Sequence, residues 1–249
     1  MLSVRARAPL LALLLLALMP ESRAQTLPAL RLLDPVWGAP SHCTAMLDRL
    51  NQRASESRVE DFLAVGLLLE TSDCVVRNET RASQFYAQAA RRGSPAAARR
   101  LAVLFGSGRG VPQSYANAGA WLAGKGDTDE RIEPWDYSIG YAYTLIATTL
   151  DRLRYPQDVW PQGFELTLAL EVDAQGRGRV GWRVTGENTI PALAAALTAA
   201  FDNASALALA QVAPVDPRYL VAARVTLPIT VRRDADSRFV VTEREPLLR

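Results

Sequence analysis

Sliding the chain against itself by 36 residues brings Leu68 onto Leu104, Val75 onto Val111, Ala82 onto Ala118 and Phe85 onto Trp121. Each copy reads as an apolar helical stretch, a short loop and a second helix with an aromatic on its inner face. A period of this length marks stacked helical units, because one helix pair cannot bury its apolar face alone and gains a core only from its neighbours. Two antiparallel helix pairs are therefore predicted between Ser57 and Lys125.

Local signals agree with that period. Ser57 to Glu60 forms a capping box ahead of Phe62, Val65 and Leu69, which share one helical face. Asn78 caps a second helix with Ala82, Phe85 and Ala89 on its inner stripe, and Gly93 stops it. Ser94 and Pro95 supply an N-cap and a proline at the first helical position, and Ser114 caps the helix that carries Tyr115, Ala118 and Trp121. Ahead of these, Ser41 to Arg53 places Met46, Leu47 and Leu50 on one side and reads as a leading helix that covers the open end of the stack.

The loop of the second copy holds Gly106, Gly108 and Gly110. A dinucleotide-binding loop needs its glycines directly after a buried strand. Here the preceding segment, Ala96 to Phe105, is helical in pattern and Val111-Pro112 follows at once, so the glycines supply positive φ for a tight helix-to-helix turn. Gly119 to Lys125 matches the spacing of a phosphate-binding loop, but Gly126 stands where a hydroxyl must reach magnesium, so that match is chance.

Leu104, Phe105, the glycine run, Val111, Pro112, Tyr115, Ala118 and Trp121 together resemble a Sel1 repeat, a relative of the tetratricopeptide repeat. The first copy departs from the pattern, since Glu70, Ser72 and Cys74 occupy its glycine positions. The resemblance implies helix-loop-helix units that present a concave surface to another protein, and it implies no catalysis.

After Lys125 the pattern changes. A polar stretch leads to Pro134 and Trp135, and a helix from about Ser138 to Arg154 carries Tyr143, Ile146, Leu150 and Leu153. The period then switches to two. Phe164, Leu166, Leu168, Leu170 and Val172 share one face while Glu165, Thr167 and Glu171 take the other. Asp173 to Gly176 turns the chain into Val180, Trp182 and Val184, a helix carries Leu193, Leu197 and Phe201, and a last strand shows Val225, Leu227, Ile229 and Val231.

The resulting order is α-β-β-α-β with a three-stranded antiparallel sheet. With Arg154-Tyr155-Pro156 before the first strand and Val225 to Ile229 in the last, this order is similar to the C-terminal domain of the TonB and TolA family. That resemblance implies work in the bacterial periplasm by docking partners, in part by pairing a partner strand with a sheet edge. The edge expected here is Val225 to Val231, since Pro228 has no N–H for a ladder; protection of that edge from aggregation is the alternative use of the proline. The membrane helix and long stalk of that family have no counterpart in this pattern, so coupling to proton-motive force is not expected.

Export is expected from the first residues. Arg5 and Arg7 precede an apolar run from Ala8 to Met19, and Ser22-Arg23-Ala24 gives a cleavage site before Gln25. The run falls short of the about 20 residues that span a bilayer, an uncleaved anchor being the alternative. The first 24 residues carry three arginines and one glutamate, so cleavage takes the net charge of +2 to zero. A neutral chain lacks the clustered basic charge of a nucleic-acid binder. Cys43 and Cys74, the only two cysteines, are expected to form a disulfide in an oxidising compartment, worth about 3–4 kcal/mol in the chain-entropy model, with free buried thiols as the alternative.

Catalytic chemistry finds few candidates. His42 is the single histidine and reads as a surface residue of the leading helix. One histidine and two distant cysteines do not preform a zinc tetrahedron, so neither a metal nor another cofactor is expected. Glu165 and Glu171 lie along one strand face without a sugar-sized cleft.

The expectation is a two-domain chain: signal peptide 1–24, Sel1-like all-α domain 25–126, linker 127–137, small α+β domain 138–235 and tail 236–249. Its function class is a periplasmic protein-protein adaptor whose partners are envelope or periplasmic proteins, with no nucleic acid and no stable membrane span after cleavage. Tyr86, Tyr115 and Trp121 in the groove, and Thr226 and Ile229 on the last strand, are the partner-binding candidates. The alternative is an envelope protein that binds peptidoglycan or β-lactams with weak hydrolase activity, against which the lack of a Ser-x-x-Lys motif counts.

Overall fold

The computed structural model describes residues 40–56, 58–71, 75–126, 132–160, 165–173, 180–185, 191–233 and 239–249. The signal segment, Ser57, Cys74, the Asp127–Glu130 part of the linker and the turn at 174–176 lie outside the described residues, as do the side chains of His42, Cys43, Glu165 and Glu171. The expected disulfide therefore also lies outside them.

Helices α1 (Pro40–Ser55), α2 (Val59–Thr71), α3 (Glu79–Arg91), α4 (Pro95–Ser107), α5 (Tyr115–Leu122) and α6 (Pro134–Arg152) follow in order, and each packs on the next. Three of the predicted caps form. Asn78 accepts from the Arg81 N–H at 2.9 Å, Ser94 from Ala97 at 3.3 Å and Ser114 from Asn117 at 3.1 Å. Each satisfies one of the orphan donors at a helix start. Helix α6 begins at Pro134, earlier than the hydrophobic pattern suggests, because Asp136 Oδ2 accepts the Glu133 N–H at 2.8 Å and closes the first turn.

The helices also contact across one layer. Glu70 of α2 meets Arg100 of α4, and Gly106 of α4 lies against Thr144 of α6. Helices α5 and α6 touch main chain to main chain: a side chain at Gly119 would enter the Asp136 carbonyl, and one at Gly140 would enter the Tyr115 carbonyl. The first glycine of the chance phosphate-loop match thus serves helix packing. Gly108 ends α4 in the left-handed region, and Gly110 at φ 68° lies so close to the Glu79 main chain that any Cβ would collide with it.

Beyond α6 come β1 (Glu165–Asp173), β2 (Val180–Thr185), α7 (Pro191–Gln211), a 3-10 turn (Pro217–Tyr219), β3 (Arg224–Arg233), β4 (Phe239–Glu243) and β5 (Leu247–Leu248). The expected order α-β-β-α-β is present, and the sheet is antiparallel in the order β2-β1-β3-β4 with β5 also on β3. Val225, Leu227, Ile229 and Val231 are all buried on the inner face, under α6 and α7 with Leu193, Leu197 and Phe201. Helix α7 is apolar and long enough by composition to cross a membrane, yet it seats this stripe in the core and leaves Leu207 and Leu209 outside.

Two expectations are corrected. The segment 236–249, expected to be a tail, supplies β4 and β5. Consequently Val225 to Val231 is no edge: β3 is flanked by β1 on one side and by β4 and β5 on the other. Pro228 is tolerated inside the sheet because of where its missing N–H points. Its carbonyl accepts from Arg244 N–H at 2.9 Å, so its nitrogen faces the same way, into the gap where the chain leaves β4 and has not yet entered β5.

The buried side chains form two clusters. One joins α1 to α5 around Leu63, Leu68, Tyr86, Leu101 and Leu104. The other surrounds α6 and unites it with α7 and β3, but it also takes in Ala102 of α4 and Tyr115 and Ala118 of α5. Helix α6 thus belongs to both parts of the chain.

Candidate functional site

The first copy of the repeat departs from the glycine pattern at Glu70, and the structure shows what the glutamate does there. Its side chain is 2% exposed and sits at the end of α2, where Tyr86 Oη donates to Oε2 at 2.7 Å and Arg109 Nη2 donates to Oε1 at 2.6 Å. Arg100 Nη1 lies 3.8 Å from the same carboxylate, and Arg109 also reaches Glu79 at 3.5 Å. The Tyr86 ring fits because Gly66 faces it without a side chain. Burial, with Glu70 beside it, holds the Tyr86 phenol protonated far above the ordinary tyrosine range.

Arg109 leads from this buried network into a cleft of about 260 Å³ between α4, α6 and the end of α7. Its walls are Val103, Ser107, Arg109, Thr144, Ala147, Thr148, Asp151, Arg152 and Gln211. The hydroxyls of Ser107, Thr144 and Thr148 donate to their own helix carbonyls, of Val103, Gly140 and Thr144, at 2.7, 2.7 and 2.8 Å. Ser107 and Thr148 therefore keep lone pairs to offer at the cleft wall, whereas the Thr144 oxygen lies against Gly106. Arg152 Nη2 donates to Gln211 Oε1 at 2.7 Å, which joins α6 to α7. Burial raises the Asp151 carboxyl above its usual range, and the guanidinium groups of Arg109, Arg100 and Arg152 only partly counter it.

The five partner-binding candidates lie elsewhere, and all are buried. Tyr86 and Ile229 are 0% exposed, Trp121 4%, and Tyr115 and Thr226 9%. Tyr115 stacks edge-on against Tyr141 and donates its hydroxyl to the Ala213 carbonyl at 2.7 Å, so it ties α5 to the segment after α7; burial pushes its phenol up to about 12. Thr226 pairs with Leu247 of β5 and Ile229 with Leu168 of β1. None of the five lines the cleft, and none is placed as a surface anchor. The aromatics of these helices serve the core, and charged and hydroxyl side chains face the opening.

Glu70, Arg109, Asp151 and Arg152 are not among the candidates that the sequence suggests. For Glu70 and Arg109 a signal exists: the glutamate replaces a repeat glycine, and the arginine stands between two glycines of the next copy. Asp151 and Arg152 fall at the end of a helix whose sequence pattern shows only its apolar stripe.

Comparison of the chain with protein-family models, with curated proteins and with solved structures returns no match.

Proposed function

We propose that this chain is an exported periplasmic adaptor without catalysis of its own, in which Sel1-like helices hold one protein or peptide and the TonB- and TolA-like α+β part contacts a second envelope component. The observation that carries this is the open polar cleft between α4, α6 and the end of α7, above a core that consumes the aromatics. Helix pairs joined by left-handed glycine turns support the repeat assignment, as does Glu70 at a glycine position bridging one unit to the next. The order α6-β1-β2-α7-β3 supports the second resemblance. Docking on β3 is set aside, because its ladder is filled on both sides.

The test is capture from the envelope fraction of the native host, with the full exported chain and a Ser107→Trp variant as baits. Ser107 is exposed at the cleft wall, so tryptophan there blocks the opening with little effect on the core. A discrete stoichiometric complex that the variant weakens at least about tenfold, equal to about 1.4 kcal/mol, supports an adaptor. Turnover of peptidoglycan fragments or β-lactams without any protein complex overturns it in favour of the hydrolase alternative.

A further inference from the structure

The cleft holds one cation and one anion, Arg152 and Asp151, that make no direct ion pair, although the Arg109, Arg100 and Arg152 guanidiniums act on the Asp151 carboxyl at longer range. Arg152 meets only the neutral amide of Gln211, and Asp151 makes no hydrogen bond or ion pair among the described residues. The two are consecutive in α6, and consecutive helical residues point about 100° apart, so they form no direct ion pair, although the Arg152 charge reaches the Asp151 carboxyl at longer range. Both nevertheless line the same cleft. Thr148, one helical turn before Asp151 and Arg152, and Ser107 from the α4 side also line the cleft with lone pairs to offer, because their protons go to helix carbonyls.

We infer that this cleft binds a small zwitterion of the α-amino-acid class, its carboxylate on Arg152 and its ammonium on Asp151. An ammonium carries three donors and no acceptor, which suits a carboxylate flanked by hydroxyl lone pairs. A carboxylate suits the remaining N–H groups of a guanidinium already oriented by Gln211. The volume of about 260 Å³ lies just below the range of drug-sized sites and is enough for one amino acid. A ligand held there bridges α6 and the end of α7, beside an existing link between the helical layer and the α+β part. The inference names a second kind of ligand for the cleft on which the adaptor function also rests, and its test uses the chain alone, without a protein partner.

Titration calorimetry of the full exported chain tests it, with glycine, alanine, glutamate and lysine as probes and with N-acetylalanine and alaninamide as forms that lack one charge. The expected result is saturable one-to-one binding of at least one free amino acid, weakened about tenfold or more when either charge is removed. Asp151→Asn is expected to abolish the preference for the free amine over the acetylated form. Arg152→Gln is expected to abolish the preference for the acid over the amide. Both residues are exposed, so the variants keep the wild-type melting temperature within a few degrees, which the same samples verify. Absence of binding at millimolar amino acid, equal binding of the one-charge forms, or unchanged preferences in the variants each overturn the inference. These outcomes read the same whether or not the chain also captures a protein, so the inference and the adaptor function fail separately.

Discussion

Glu70→Ala should be among the most damaging single substitutions in the helical layer, and its cost follows from what the carboxylate touches. Removal takes away the acceptor of the Tyr86 hydroxyl, whose residue is 0% exposed; an orphaned buried donor costs about 1–3 kcal/mol. It also breaks the 2.6 Å bond from Arg109 and leaves Arg100 without its nearby carboxylate. Arg109 keeps Glu79 at 3.5 Å and is partly open to water, so its charge is not marooned. The guanidiniums left behind are open to water, so no buried charge is stranded, and the orphaned hydroxyl with the lost charge-assisted bonds gives an expected loss of about 2–4 kcal/mol.

For a chain of this size each kcal/mol lowers the melting temperature by about 2–4 °C, giving a fall of about 4–16 °C. Urea denaturation followed by far-ultraviolet circular dichroism measures the same loss as a shift in midpoint at constant slope. A cycle with Tyr86→Phe isolates the hydroxyl bond. The double variant, which has no stranded hydroxyl, should be less damaged than the sum of the singles by about 1.5–3 kcal/mol. Additivity within about 0.5 kcal/mol, or a Glu70→Ala loss below about 1 kcal/mol, would refute the picture of a buried carboxylate holding α2, α3 and the α4–α5 loop together.

Gly110→Ala should cost several kcal/mol, because its φ of 68° is joined by collision with the Glu79 main chain, whereas Gly93→Ala, at φ 89° with open space around it, should cost only the left-handed strain of about 1–2 kcal/mol. Equal losses in paired urea titrations would contradict the close approach. Asp151→Asn tests the raised carboxyl: a group whose folded pKa is raised stabilises the fold below its unfolded pKa, and that contribution is lost as pH rises through the folded value. Asparagine stays neutral, so the variant should melt slightly higher than wild type at pH 7, the gain being small because the residue is exposed, and level with it at pH 3; a lower melting point at pH 7 means that Asp151 is held by an ion pair instead.

Helix pairs were legible because their ends carry short polar caps, and Asn78, Ser94 and Ser114 all bond as their positions foretell. The inner face of α3 was legible only to within one residue. Phe85 and Tyr86 both fit helical spacing from Ala82 to Ala89, and the choice falls to Tyr86 because Gly66 leaves room for its ring and Glu70 accepts its hydroxyl. Neither partner is local. Strand β3 was legible in its alternation, but Pro228 suggested an edge, and only the return of the chain through β4 and β5 shows that the lost donor faces a gap between two short strands. The cleft escaped sequence reading for a similar reason. Arg109 and Glu70 are 39 residues apart, Arg152 and Gln211 59, and no local pattern announces that they converge.

The most direct test of the adaptor is site-specific photo-crosslinking in the periplasm of the native host, with probes at Ser107 and Thr148 on the cleft and at Val76, an exposed residue of the α2–α3 loop that does not line it. Discrete envelope-protein adducts at Ser107 or Thr148, and none at Val76, are the expected result. Adducts equal at all three positions, or none at either cleft probe in an exported and folded chain, contradict a partner-binding face on this layer.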